Sequence, residues 1–124
     1  MDAFELADVE ARRAGSGGPY LEFLRVPALS VGLYTLEVGA VDGQSPHTED
    51  EIYVVMTGRA RVSVGDEIRD VRAGSTIYVG ATVPHRFHDI TEDLTVLVFF
   101  AGAPATQAVG IPPPSPTDRG DGPP

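Results

Sequence analysis

The chain has 124 residues, 42% of them apolar and 22% charged, a length that suits one domain with a self-sufficient core and leaves no room for a second. It contains no cysteine, and all nine basic residues are arginine, which excludes disulfides, thiolate zinc sites, iron–sulfur clusters, Schiff-base lysines and a Walker-type phosphate grip. The net charge of −9 opposes binding to nucleic acid and to anionic lipid.

The N-terminus, Met1-Asp2-Ala3-Phe4-Glu5, is acidic, and no apolar run follows it. No secretory signal or membrane span is expected, so a cytoplasmic protein is the default. Asp8–Ala14 has a helical pattern, with Asp8 as N-cap and Gly15 as the stop. Strands are expected at Tyr20–Val26, Ser30–Val38, Glu51–Thr57, Ala60–Val64, Glu67–Val71, Ser75–Val79, Pro84–Ile90 and Leu94–Ala101. Gly58-Arg59, Gly65-Asp66 and Ala73-Gly74 punctuate them as turns. Short strands at such spacing predict an all-β sandwich or barrel. After them, residues 104–124 carry Pro104, Pro112-Pro113-Pro114, Pro116, Pro123 and Pro124 among glycines and charges. That composition cannot bury enough apolar surface to offset its ordering entropy, which predicts a disordered tail. A proline-rich ligand for a partner is the other use of such a segment.

Strand phase adds a further expectation. Glu51–Thr57 is apolar on both faces, with Ile52, Val54 and Met56 opposed to Tyr53 and Val55. Leu94–Phe100 behaves likewise, with Leu97 and Phe99 behind Leu94, Val96, Val98 and Phe100. Strands wet on neither side need a second layer. A homodimer supplies one, and so does a covering N-terminal segment.

The chemistry-bearing residues are sparse, since there are only 3 histidines. His47 precedes Glu51 by four residues, and Glu51 precedes Gly58 by seven. His85 follows Gly74 by eleven. These spacings resemble the two motifs of the cupin family. The first motif runs from a glycine through a His-x-His pair and a glutamate to a closing glycine, and the second places one histidine after a Pro-x-Gly turn. The resemblance covers about Leu33 to Phe100. It implies a double-stranded β-helix, or jelly-roll barrel, spanning residues 20–103 behind an N-terminal segment 1–19 and ahead of the tail 104–124. The chain departs from the pattern at Ser45, which holds the first histidine's place. Gly80, Thr82 and Asp89 likewise replace the second motif's proline, glycine and asparagine.

By this resemblance His47, Glu51 and His85 are the ligands of a divalent transition metal, Fe(II) first and Mn, Ni, Co or Zn otherwise. Gln44 or Ser45 is available for a fourth position. Four residues of extended strand span about 13 Å, so His47 and Glu51 share an ion only if Thr48-Glu49-Asp50 turns the chain. His85 shares its strand face with Phe87 and Asp89, whereas Arg86 and His88 point the other way, His88 as an exposed or interface histidine.

Tyr53 lies on the strand face of Glu51. Two readings are open for it, a proton donor in the pocket or a core tyrosine with its hydroxyl at the rim. The faces of Tyr34 and Tyr78 are not fixed by the sequence. Glu49 and Asp50 read as solvated charges at the barrel mouth, and Asp89 as a partner for nearby backbone. Arg25, Arg59, Arg61 and Arg72 read as ion-pairing or solubilising residues, with one inward arginine for a substrate carboxylate as the alternative. No G-x-S-x-G elbow, dinucleotide loop or basic aromatic patch competes.

Two functions follow. The first is a metal-dependent enzyme, dioxygenase-like, on a small organic metabolite. Isomerase, decarboxylase and lyase chemistry also remain open. The second is a non-catalytic module that senses or holds a small ligand.

Overall fold

A computed structural model describes residues 1–43 and 46–102. The expected tail 104–124 and Gln44 lie outside the described residues. One helix, α1 (Leu6–Ser16), precedes six strands: β1 (Tyr20–Val26), β2 (Leu29–Leu36), β3 (Glu51–Val64), β4 (Glu67–Arg72), β5 (Thr76–Val79) and β6 (His85–Ala101). They pair antiparallel in the order β1-β2-β6-β3-β4, with β5 on the same edge of β3 as β4, beside Glu51 to Val54.

The helix is longer than its sequence pattern suggests. Glu5 occupies the N-cap position without a side-chain cap, and Asp8 sits in the first turn, where its charge faces the exposed N–H groups. The stop is Gly17 rather than Gly15, because Gly17 takes the left-handed conformation at φ 83° and donates its N–H to the Ala14 carbonyl.

The expected turn at Gly58-Arg59 and the expected gap between the last two strands are bends inside long strands. Ala60–Val64 continues from Glu51–Thr57 as β3, and β6 runs through Thr91 without a break. Pairing between β3 and β6 slips three times, with one extra residue on β3 between Val55 and Thr57 and the extra residues on β6 between Thr95 and His88, and these bulges curl the ribbon. Gly58 stands inside this irregularity at φ 100°, and a Cβ there would collide with the backbone of Asp93 and Leu94. Only glycine fits that close approach. In β6 the bend falls at Asp89, whose φ is 50°. Asp89 therefore does not continue the face of His85 and Phe87. It is exposed, and Ile90 is buried in its place.

This curling positions the site. His85 pairs across the sheet with Val64, at the far end of β3 from Glu51. A straight strand of that length would hold the two ends about 43 Å apart. The bulges fold the ribbon into a barrel and return His85 to Glu51.

The barrel core is built from alternate residues of the strands, among them Tyr53, Val55, Phe87, Leu94, Val96 and Val98. Within β2, Gly32 leaves room for the Tyr20 ring, which a Cβ at that position would strike. Tyr20 and Tyr34 then meet edge to face at 6.2 Å. On the outer side, α1 packs on β1 and β2. Val9 of the helix is 2% exposed, and Val31 and Leu33 of β2 are also buried. The N-terminal segment thus covers part of the second apolar face.

Candidate metal centre

The segment between β2 and β3 ends in a bend at Thr48-Glu49, which reverses the chain between His47 and Glu51. Two hydrogen bonds tie this segment to the turn before β6. The Thr82 N–H donates to the His47 carbonyl at 2.6 Å, and the Ala81 N–H donates to Asp50 Oδ1 at 2.8 Å. Glu51 opens β3, and His85 opens β6. The Nε2 atoms of His85 and His47 lie 3.2 Å and 4.0 Å from Oε1 of Glu51. One ligand atom from each of these residues falls within 4.8 Å of the other two. Phe100 closes one side, edge to face with the His47 ring at 5.0 Å.

The His85 ring is held in the tautomer a metal needs. The Val83 carbonyl is 2.8 Å from Nδ1. A carbonyl only accepts, so Nδ1 carries a hydrogen, and Nε2, which faces Glu51, is the nitrogen that an ion would bind in place of a proton. The Glu51 side chain is fully buried, and among the described residues no arginine pairs with it. Burial pushes its carboxyl above the ordinary value, against the opposing hydrogen bonds from His85 and Tyr53. At His85 burial acts downward, but the hydrogen bond and charge of Glu51 outweigh it and raise the imidazole above 6.5. The pair therefore holds a proton firmly, and a cation set among the three donors would take that proton's place. Two imidazoles and one carboxylate, buried and convergent, fit a divalent transition metal.

Tyr53 faces this cluster. It is fully buried, stands near enough to Glu51 to oppose the upward shift of that carboxyl, and has its ring 5.9 Å from His85. Tyr34 also points inward, whereas Tyr78 is 62% exposed on the outside of β5. Glu49 is buried rather than solvated and accepts the Thr48 hydroxyl. The described arginines stay away from the site, and Arg25, Arg59 and Arg61 pair with Glu22, Glu92 and Asp70. His88 is neither exposed nor in the site: its ring bridges Ser63 Oγ at 2.6 Å and Asp89 Oδ2 at 3.0 Å. That side-chain contact replaces the backbone contact expected of Asp89.

One inward residue was missed from sequence. Asp42 is 3% exposed and holds Tyr34 and the backbone of Phe87. Val-Asp-Gly reads as a solvated turn, and nothing in the local pattern signals its burial.

A family profile described as Cupin domain matches residues 32–100, more than half of the chain. The chain is a cupin. The uncharacterized protein SCO3923 of Streptomyces coelicolor is 52% identical over 101 residues, which are 82% of this cupin and 96% of that protein. Among solved structures, KdgF from a Halomonas species superposes with a TM-score of 0.64 at 20% identity, over 71% of this chain and 82% of its own. An RmlC-like cupin from Methanocaldococcus jannaschii, with a double-stranded β-helix fold, gives 0.64 at 14% identity, over 72% and 84%. The DMSP lyase DddQ of Ruegeria pomeroyi gives 0.58 at 20% identity, over 62% of this cupin and 40% of that larger chain. At these identities the structural likeness establishes the double-stranded β-helix fold.

Proposed function

We propose that this cupin is a divalent-metal enzyme acting on a small organic molecule. The convergence of His47, Glu51 and His85 inside the barrel carries the reading. Those three residues would hold the ion, and Gln44 would offer an amide oxygen as a further ligand. Two histidines and one carboxylate are the donor set of non-haem Fe(II), with Mn, Ni, Co and Zn as the other candidates. Bound there, the metal supplies Lewis acidity or activation of dioxygen, which puts dioxygenase-like oxidation first among the reaction classes.

The chain's own residues prepare the site. Val83 fixes the His85 ring, Phe100 sets apolar surface against His47, and Phe87 packs behind Tyr53. The Tyr53 side chain, buried with its ring 5.9 Å from His85, is available to give or take a proton at a bound substrate. That placement favours a second reading, a lyase that removes a proton from carbon. The DMSP lyase DddQ, a fold neighbour, supports it at the level of architecture. A homodimer formed through the outer face of β6, β3 and β5 belongs to the same proposal.

Metal analysis of the protein purified without added metal tests the reading. Stoichiometric metal is expected in the wild type and in Tyr53→Phe, and its loss in His85→Ala. Proton-transfer turnover should fall in Tyr53→Phe at unchanged metal content, whereas dioxygen uptake should survive that change. A metal-free wild type that retains an organic ligand would instead establish a non-catalytic binding module.

A further inference from the structure

Asp42 lies in the connection from β2 to β3, upstream of His47, and is buried. Its Oδ1 accepts the Tyr34 hydroxyl hydrogen at 2.7 Å, and its Oδ2 accepts the Phe87 N–H at 2.8 Å. Tyr34 belongs to β2 and Phe87 to β6, so one carboxylate clasps two strands and the segment leading to the site. Acceptance on both oxygens is the hydrogen-bonding pattern of an ionised carboxylate. Its charge reaches both Glu51 and His85, yet its oxygens fall outside the group of convergent donor atoms.

A buried site tolerates little net charge, because an uncompensated ion in a low-dielectric interior is expensive. Two carboxylates here face inward. Among the described residues no arginine is buried, and the chain has no lysine. Neutral imidazoles add no charge. A divalent cation bound by Glu51, His47 and His85 would leave one positive charge, which the Asp42 carboxylate matches. Glu49, the third buried acid, lies in the bend with Oε2 taken by the Thr48 hydroxyl.

We propose that Asp42 is a second, non-ligating carboxylate that neutralises the divalent cation held by His47, Glu51 and His85. The inference rests on the metal reading above and assigns this chain a charge-balancing residue beside its ligands.

The test is calorimetric titration of the metal-free, full-length protein with Zn(II) in competition with a chelator. Asp42→Asn keeps the shape, because the amide oxygen can accept from Phe87 and the amide nitrogen can donate to Tyr34. It removes only the charge, so Zn(II) affinity should fall at least about tenfold. Tyr34→Phe removes one arm of the clasp and keeps the charge, so affinity should stay within about threefold of wild type. Equal affinity in Asp42→Asn overturns the proposal while the metal reading stands, as does an equal loss in both variants, which would mark a merely structural clasp. A wild type that binds no Zn(II) overturns both. Should thermal melting show Asp42→Asn unfolded, Asp42→Glu decides: retained affinity with the charge kept supports the proposal, and a tenfold loss sinks it.

Discussion

The imidazole Nε2 of His85 stands 3.2 Å from Oε1 of Glu51, with both side chains sealed from solvent. Glu51 is held above 4.5, first by burial, and His85 above 6.5, because the bond and charge of Glu51 outweigh burial. In both cases the folded protein keeps a proton that the unfolded chain releases. Stability from these groups is therefore full at low pH and falls as pH rises from the unfolded values through the raised ones. The metal-free protein should melt at progressively lower temperature as pH rises above about 6.5, the ordinary value of histidine, and Glu51→Gln should flatten that slope. Because a metal displaces the same proton, the rise in Tm on adding Zn(II) should grow as pH rises. Calorimetric scans across the range check it. A metal-free Tm that holds or climbs would mean that the pair is not protonated as described.

Thr82 occupies the second motif's glycine position with a φ of 65°, where a β-branched residue is strained by roughly 1–3 kcal/mol. Its N–H is bonded to the His47 carbonyl, so the strained turn is also the turn that anchors one of the three convergent donors. Thr82→Gly should stabilise the fold by about 1 kcal/mol, once the added unfolded-state entropy of glycine is subtracted. Urea unfolding reads this directly as a higher midpoint at constant slope. A loss of stability would show that the Thr82 hydroxyl, which donates to the Ala81 carbonyl at 2.5 Å, outweighs the strain.

The same positions explain what the sequence disclosed. Period-two alternation sorted the residues of β3 up to Val55 and of β6 from Leu94 onto two faces without saying which is inward, and motif spacing located the three donor residues. Alternation is a local property, so it survived folding. Gly58 was legible as a positive-φ residue but not as a bulge, because a turn and a bulge demand the same backbone and differ only in what pairs beyond them. Asp89 broke the phase by entering the left-handed region, which aspartate tolerates. The burial of Asp42 and Glu49 was illegible for a different reason. Their partners, Tyr34 and Phe87 for one and Thr48 for the other, become partners only through tertiary closure or a bend, and a lone acid in a loop reads as solvated.

The outer face of the barrel leads to the last prediction. Cross-strand pairing sets Val31 beside Phe99, Phe99 beside Ile52, and Ile52 beside Tyr78 in one row over four strands. The helix packs on β1 and β2, and the far end of the row stays open, with Ile52 40% and Tyr78 62% exposed. A groove of about 370 Å³ runs along it between Ala28, Ile52, Tyr78 and Phe99. Two copies meeting on this face would bury each Ile52, worth about 1.5–3 kcal/mol per side chain. Sedimentation should then give twice the 13.1 kDa chain mass. Ile52→Asp should return the monomer, because two buried carboxylates would face each other across the contact. Ile52 points away from Glu51 along the strand, so metal binding should be unchanged in that variant. Wild-type protein sedimenting as a monomer at micromolar concentration would leave the row as a solvent-facing patch of a single-chain barrel.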